Sequence, residues 1–181
     1  MRYIAAPWRA DYVRRGLPTG SRCVFCEARR SRDDRAATVL LRGRHNFILL
    51  NRFPYTPGHL MIAPNRHLAD FAAARPAGAA ELADFFQLAL RVLGRAYRPQ
   101  GFNAGMNLGA SAGAGITGHY HLHVVPRWTG DSNFMPLVGA TRVFIEDLDT
   151  TYDKLRPLFD LERRRRERAG RAARRAPTPS R

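Results

Sequence analysis

Residues 118–128 read GHYHLHVVPRW and place three histidines at alternate positions, His119, His121 and His123. Alternate side chains of a β-strand share a face, so the three imidazoles form one polar stripe and the apolar residues between them point the other way. Successive Cα atoms of the stripe are about 6.7 Å apart, and the outer two are about 13 Å apart. One zinc ion, with Zn–N distances of about 2.1 Å, cannot reach all three, so the spacing favours different roles for them.

The rest of the chain supplies a sheet and helices around this strand. Apolar patterning predicts strands at 37–41, 46–51, 59–63, 102–108 and 120–126, with a tight turn at 42–44. Helical spacing of apolar residues runs from 77 to 97, and a last helix starts near Thr150 or Thr151. A short helix is expected over 7–15, and 16–35 is expected to be loop-like. This order of elements predicts an α+β fold with an antiparallel sheet, one long core helix and a C-terminal helix.

The composition is that of a globular protein. The chain has 181 residues, of which 45% are hydrophobic and 25% charged. No window approaches the roughly 18 consecutive apolar residues of a membrane helix, and charges interrupt the N-terminal stretch where a secretory signal would be apolar. We therefore expect a cytoplasmic protein with no membrane partner. Cys23 and Cys26 are spaced as a metal or redox pair rather than as a structural disulfide.

The positive charge is concentrated at the C-terminus. Residues 161–181 contain nine arginines and two glutamates, about half of the formal net charge of +15. This segment loses its large apolar residues after Leu161 and ends in proline and serine. We therefore predict a domain over 1–160 and an Arg-rich, disordered tail over 161–181. A solvated basic extension is the simpler interpretation of the tail, and a nucleic-acid-binding arm is the alternative.

A second segment, NRFPYTPGHLMIAP at 51–64, offers an amide at the end of one strand and an imidazole at the start of the next, Asn51 and His59. The six histidines of the chain fall in three places: His45, then His59 and His67, then the triplet. This clustering favours a single functional site. Nearby apolar residues are either ordinary core residues or the lining of a nucleobase slot: Leu49, Leu60 and Met61.

On these residues the chain resembles the histidine triad (HIT) superfamily. HYHLHVV at 119–125 resembles the signature His-φ-His-φ-His-φ-φ, and 51–64 resembles the segment N-x-x-P-x-x-x-G-H-φ-φ-φ-x-P. The APWR sequence at 6–9, the cysteine pair and residues 125–136 further resemble the bacterial diadenosine tetraphosphate phosphorylase and hydrolase branch. The resemblance covers roughly residues 7–159. The chain departs from many HIT enzymes in the turn before the triad, where AGITG stands in place of a Gln, Ser or Thr contact.

The resemblance implies a covalent mechanism. His121, the middle histidine, would attack the α-phosphorus of a nucleoside polyphosphate and form a nucleotidyl-histidine, with a backbone carbonyl holding its other ring nitrogen. An imidazole with an unperturbed pKa near 6.5 is largely neutral at pH 7, which suits a nucleophile. His123 and Asn107 would donate hydrogen bonds to the phosphate oxygens. His119 completes the catalytic triad of the resemblance.

The resemblance also assigns substrate-binding residues. Asn51 would hold the ribose, and His59 would help to orient the site. In the glycine-rich turn the phosphate contacts come either from backbone N–H groups, as at Gly115, or from the Thr117 hydroxyl. Trp128 is either a wall for the second nucleoside or a packed aromatic residue.

Structural zinc is the cofactor that the resemblance implies, and no organic cofactor is expected. In family members with the cysteine pair, the ligands correspond here to Cys23, Cys26, His67 and His119. Two thiolates and two imidazoles make a closed tetrahedral set, which is typical of structural rather than catalytic zinc. His45 is the competing candidate for the place of His67.

The function implied is nucleotidyl transfer or hydrolysis on nucleoside polyphosphates, either as a diadenosine tetraphosphate phosphorylase, giving ADP and ATP, or as a hydrolase. We consider inorganic phosphate as the acceptor, with Arg127 and the glycine-rich loop as its holders. HIT proteins commonly form homodimers, so a homodimer is expected. The alternatives are a nucleotide-binding regulatory protein and an adenylate-removing nucleic-acid repair hydrolase, which would use the basic tail.

Overall fold

The computed structural model describes residues 22–131 and 146–175. These residues form three α-helices and five β-strands. The helices are α1 (Val24–Arg30), α2 (Pro76–Tyr97) and α3 (Leu148–Arg175). The strands are β1 (Val39–Arg42), β2 (Asn46–Leu50), β3 (Leu60–Pro64), β4 (Gly101–Gly105) and β5 (Leu122–Arg127). The helix predicted over 7–15 lies outside the described residues, and none of the described helices has the length and apolar character needed to cross a bilayer.

The strands form one antiparallel sheet in the order β1-β2-β3-β5-β4. Strand β3 pairs with β5 through Leu60–Val124, Met61–His123 and Ile62–Leu122. This pairing places the strand that carries the histidines directly beside the segment that begins with Asn51. The predicted α+β fold with an antiparallel sheet, a long core helix and a C-terminal helix is confirmed.

The two faces of the sheet bury two separate apolar clusters. The larger cluster lies under α2 and α3 and includes Tyr120, Leu122 and Val124. The smaller cluster joins Phe25 and Ala28 of α1 to side chains of β1, β2 and β3. The histidines of the triplet therefore lie on the α1 face, as the alternation predicted, although the ladder itself begins only at Leu122.

Helix α2 holds the sheet through one apolar stripe. Its buried side chains recur at spacings of three and four residues: Leu82, Phe85, Leu88, Ala89, Val92 and Leu93. Pro76 occupies the first turn, where its missing N–H costs nothing, and Arg98 ends the helix in the left-handed conformation. The turn between β1 and β2 packs closely against α2, because a Cβ on Gly43 would lie 2.5 Å from the Phe85 ring.

Two predictions of local structure differ from the structure. The segment expected to be loop-like contains α1, because Phe25 and Ala28 lie three residues apart and bury one side of a short helix. The tail expected to be disordered is helical as far as Arg175. Arginine, alanine and glutamate favour helix, and ion pairs such as Arg165–Glu162 link successive turns. The boundary at residue 160 stays a prediction.

Candidate active site

A cavity of about 900 Å³ lies on the face of the sheet that carries α1. This volume is at the upper end of the range for small-molecule sites. Its walls come from α1, the end of β2, the turn after β2, the glycine-rich segment and the start of α3. Of the apolar residues considered for a nucleobase slot, Leu49 and Met61 line the cavity. Leu60 instead belongs to the core on the opposite face.

His121 lies against this cavity and is only 6% exposed. Its Nδ1 is 3.0 Å from the backbone oxygen of His119. Because a carbonyl oxygen can only accept, Nδ1 carries the proton and Nε2 keeps the lone pair. Burial lowers the pKa of His121, although the hydrogen bond to His119 partly opposes this effect. The imidazole is therefore neutral at pH 7, in the tautomer that leaves Nε2 nucleophilic.

His123 also lines the cavity, and its tautomer is set by a chain of hydrogen bonds. The backbone N–H of Tyr55 donates to Nδ1 of His59 over 3.1 Å. With Nδ1 accepting, neutral His59 carries its proton on Nε2, which lies 2.9 Å from Nδ1 of His123. The proton of neutral His123 is then on Nε2. The Tyr55 ring stacks on His59 at 4.8 Å and fixes the plane of that imidazole.

The remaining predicted substrate residues are only partly brought together. Asn51, Asn107 and Gly115 line the cavity. Thr117 is exposed and is not part of the lining, whereas the neighbouring Ile116 is. Of the two alternatives for the phosphate contact, Gly115 therefore borders the cavity and Thr117 does not.

Two further candidate residues, Trp128 and Arg127, lie near the end of β5 and pack against other side chains. Trp128 is not part of the cavity lining, and its ring packs edge-on against Tyr97 at 6.4 Å, as a packed aromatic would. Arg127 was a candidate holder of a second anion. Its guanidinium instead makes two hydrogen bonds of 2.6 Å to Asp131 and one of 2.6 Å to Asn103. The Asp131 carboxylate offsets the charge on which that role depended.

The four residues predicted to bind zinc converge at the start of the strand that carries the histidine triplet. One ligand atom from each of Cys23, Cys26, His67 and His119 lies within 4.8 Å of all the others. Tetrahedral zinc with these ligands needs ligand-atom separations of about 3.3 to 3.8 Å, so only small side-chain adjustments separate this arrangement from a coordination shell. His45 is not in the group, because it lies beside the first turn of α2, where its Cβ approaches Gly78.

The orientation of His119 suits a metal ligand. Its Nε2 lies 2.9 Å from the carbonyl oxygen of Pro64, so Nε2 carries the proton. Its Nδ1 faces the two sulfur atoms at 3.4 and 3.7 Å. Burial lowers the pKa of His119 to about 4, which keeps the imidazole neutral. His119 is not part of the cavity lining, so its side chain belongs to the cysteine cluster rather than to the pair that lines the cavity, His121 and His123.

Sequence reasoning missed two contributors to the site. Tyr55 is one, although its position in the segment 51–64 marked it as a neighbour of His59. Glu146 at the cavity edge is the other. It accepts hydrogen bonds from Tyr97, Thr151 and Lys154, which attach the start of α3 to α2. No local pattern marks Glu146, because its partners lie up to 49 residues away.

The chain is similar in sequence to known proteins. The HIT domain family model matches residues 32–130. A Mycobacterium tuberculosis protein named AP-4-A phosphorylase is 43% identical over 118 residues, 65% of this chain and 60% of that relative. The chain thus spans less than two thirds of that relative's length.

Solved structures give the same family likeness. A Zn-bound histidine triad family protein from Mycobacterium smegmatis superposes with a TM-score of 0.62 at 25% identity, covering 79% of this chain and 96% of that one. A hypothetical histidine triad nucleotide-binding protein from Sulfolobus tokodaii gives 0.58 at 23% identity, covering 71% and 87%. The latter likeness concerns the fold alone.

Proposed function

Because this chain belongs to the HIT domain family, we propose that it transfers a nucleotidyl group from a dinucleoside polyphosphate, with diadenosine tetraphosphate as substrate and inorganic phosphate as acceptor. The observation that carries the proposal is the hydrogen bond from Nδ1 of His121 to the carbonyl of His119. It leaves a neutral imidazole with an Nε2 lone pair beside a cavity of nucleotide size.

In the first step Nε2 of His121 attacks the α-phosphorus. A nitrogen–phosphorus bond forms as the bond from phosphorus to the bridging oxygen breaks, and the rest of the polyphosphate leaves with the second nucleoside. Nε2–H of His123 donates a hydrogen bond to the oxygens on which negative charge develops. The His59 hydrogen bond supports this role, because it keeps the His123 proton on Nε2.

The cavity wall supports the binding roles. The amide of Asn51, at the end of β2, contacts the ribose, and the base packs against the apolar surface of Leu49 and Met61. Asn107 and the backbone N–H groups around Gly115 contact the phosphate. Thr117, His119 and Trp128 have no direct contact with substrate in this proposal.

In the second step an acceptor attacks the same phosphorus and releases His121. Phosphate gives ADP from an adenylylated histidine, and water gives AMP. We favour phosphate because of the 43% identity to the Mycobacterium tuberculosis protein named AP-4-A phosphorylase. For phosphate to outcompete water, it must be held in line with the nitrogen–phosphorus bond.

Chromatography of the products tests both steps. With diadenosine tetraphosphate and phosphate present, we expect ADP plus ATP in equal amounts, at a rate that depends on phosphate concentration. AMP as the main product, at a rate indifferent to phosphate, would identify a hydrolase. Absence of turnover with or without phosphate would overturn the proposal and favour a nucleotide-binding protein.

We propose in addition that Cys23, Cys26, His67 and His119 hold a structural zinc ion. Bound zinc would supply a cross-link between α1, the segment after β3 and the start of the triad strand. The convergence of the four ligand atoms and the Zn-bound relative from Mycobacterium smegmatis support this assignment.

A further inference from the structure

Phe53 is an unusually exposed aromatic residue at the edge of the candidate active site. Its side chain is 78% exposed, whereas the other exposed large apolar residues of the described chain, Val24 and Leu108, are 38% and 42% exposed. Phe53 also lines the cavity that contains His121. A lone exposed apolar residue on a surface needs no explanation, but this one borders a predicted nucleotide site.

The backbone holds Phe53 in a fixed relation to the predicted ribose contact. Its N–H donates to Oδ1 of Asn51 over 3.0 Å, which closes a turn between the two residues. Pro54 follows, and a residue before proline is restricted to extended conformations. The ring is therefore displayed at the cavity edge by a constrained turn.

Two neighbouring candidates for stacking on a base, Tyr55 of the cavity wall and Trp128 near the end of β5, are already packed. The Tyr55 ring stacks on His59, and Trp128 packs edge-on against Tyr97. Phe53 makes no ring-to-ring contact within residues 22–131 and 146–175. With 78% of its surface exposed, the ring is accessible for stacking.

The direction of the reaction takes the leaving group toward this ring. His121 is 6% exposed, so its nitrogen attacks from the floor of the cavity. The leaving oxygen of a phosphorus displacement lies roughly opposite the attacking atom. The second nucleoside of a two-base substrate therefore leaves toward the exposed edge. Arg52, beside Phe53, also lines the cavity and brings a positive charge to the polyphosphate between the two bases.

We propose that Phe53 stacks on the second, leaving nucleobase and so makes the site selective for substrates with two bases. The inference rests on the proposed function, since it concerns the other half of the same substrate. Every base presents a π-face, so this contact favours a second base without specifying which one. In this proposal Phe53, rather than Trp128, forms the wall for the second nucleoside.

The test compares two substrates with equal numbers of phosphates. Diadenosine tetraphosphate has two bases, and adenosine 5′-tetraphosphate has one. We expect the unmutated protein to prefer the former by about tenfold or more in kcat/KM, the range for one stacked base. Phe53→Ala should remove this preference and leave kcat/KM for adenosine 5′-tetraphosphate unchanged, whereas Phe53→Trp should retain it. Leu108→Ala, an exposed apolar residue outside the cavity lining, is the matched control.

The outcomes separate this inference from the proposed function. If Phe53→Ala lowers both rates equally, or changes neither, Phe53 does not contact the second base. If the unmutated protein processes neither substrate, the proposed function fails and the inference fails with it. Because Phe53 is exposed, its substitution should not change the melting temperature, and an unchanged melting curve excludes a folding defect.

Discussion

Nε2 of His59 lies 2.9 Å from Nδ1 of His123, so one imidazole determines which nitrogen of the other carries the proton. The two residues are 64 positions apart and come from paired strands or their ends. We therefore propose that His59 is a positioning residue whose effect on chemistry passes through His123.

His59→Ala should lower kcat by about 10²-fold, the lower end of what a positioned proton donor contributes, with little change in KM. The reason is that His123 loses its fixed tautomer while the ribose and base contacts stay in place. Steady-state kinetics checks this split. An increase in KM with kcat unchanged would mean that His59 contributes to binding instead.

His121→Ala should abolish turnover and keep nucleotide binding, because the side chain supplies a covalent bond rather than the binding surface. His121→Asn preserves more of the volume and should trap bound substrate. Product assays and calorimetric titration with a nucleotide measure the two properties. Residual turnover comparable to the unmutated protein would show that another group is the nucleophile.

The purified protein should contain about one zinc ion per chain, and Cys23→Ser or Cys26→Ser should lose the metal and lower the melting temperature. Elemental analysis and thermal unfolding measure these changes. His45→Ala is the control, since His45 lies outside the cysteine cluster and its loss should leave the zinc content unchanged. Metal-free protein of normal stability and activity would refute the structural role.

Ionisation of Glu146 should make the free energy of unfolding depend on pH. Burial raises the pKa of Glu146, but hydrogen bonds from Lys154, Tyr97 and Thr151 outweigh it and hold the pKa below its ordinary value of 4.5. The stabilisation is therefore complete above that value and is lost as pH falls through the lower, folded-state pKa.

Glu146→Gln should destabilise the protein by about 2 kcal/mol at pH 7, the scale of hydrogen bonds to a charged group. The difference from the unmutated protein should shrink as the pH falls below the ordinary pKa of 4.5 and through the lower pKa of the folded state. Thermal unfolding from pH 3 to 7 measures it. Glu167→Gln, at an exposed ion pair within α3, should have almost no effect, and an equal loss in both variants would contradict the assignment.

Thr38 should be a strained position at the cavity wall. Its φ of 56° lies in the left-handed region, which is costly for a β-branched residue. Thr38→Ala and Thr38→Gly both lose the hydroxyl contact to the Leu50 carbonyl, but only glycine relieves the backbone. The free energy of unfolding of the glycine variant, measured with denaturant, should therefore be about 1 kcal/mol higher than that of the alanine variant. Equal stability would show that the strain is negligible.

The elements that could be predicted from the sequence are those with local periodicity. The stripe of buried residues on α2 and the alternation around the triplet depend on neighbours a few positions apart, and both are confirmed. Helix α1 was missed, although Phe25 and Ala28 have helical spacing. The stretch is short, and the surrounding glycines and charged residues favour a loop more strongly than two apolar residues favour a helix.

The site was harder to predict where it depends on pairing over long distances. Residue type and spacing alone do not separate His67, which the resemblance implies, from the competing His45, and it is the direction of the chain after β3 that brings His67 to the cysteines. From the sequence, Arg127 is a cation beside a glycine-rich loop. In the structure its guanidinium pairs with Asp131, four residues later. Local sequence gives the residue types at such positions but not their partners.

The sheet joins its first three strands to its last two through three registered pairs between β3 and β5, compared with five in each neighbouring pairing, β2–β3 and β4–β5. Asn51 and His59 belong to the part formed by β1, β2 and β3, whereas His121 and His123 belong to the part formed by β4 and β5. Closing this join requires a loop of about sixty residues, which is slow compared with forming a hairpin or a helix. We therefore expect the candidate active site to be among the last parts of the molecule to assemble during folding, and transient separation of β3 from β5 to inactivate it while most helices and hairpins persist.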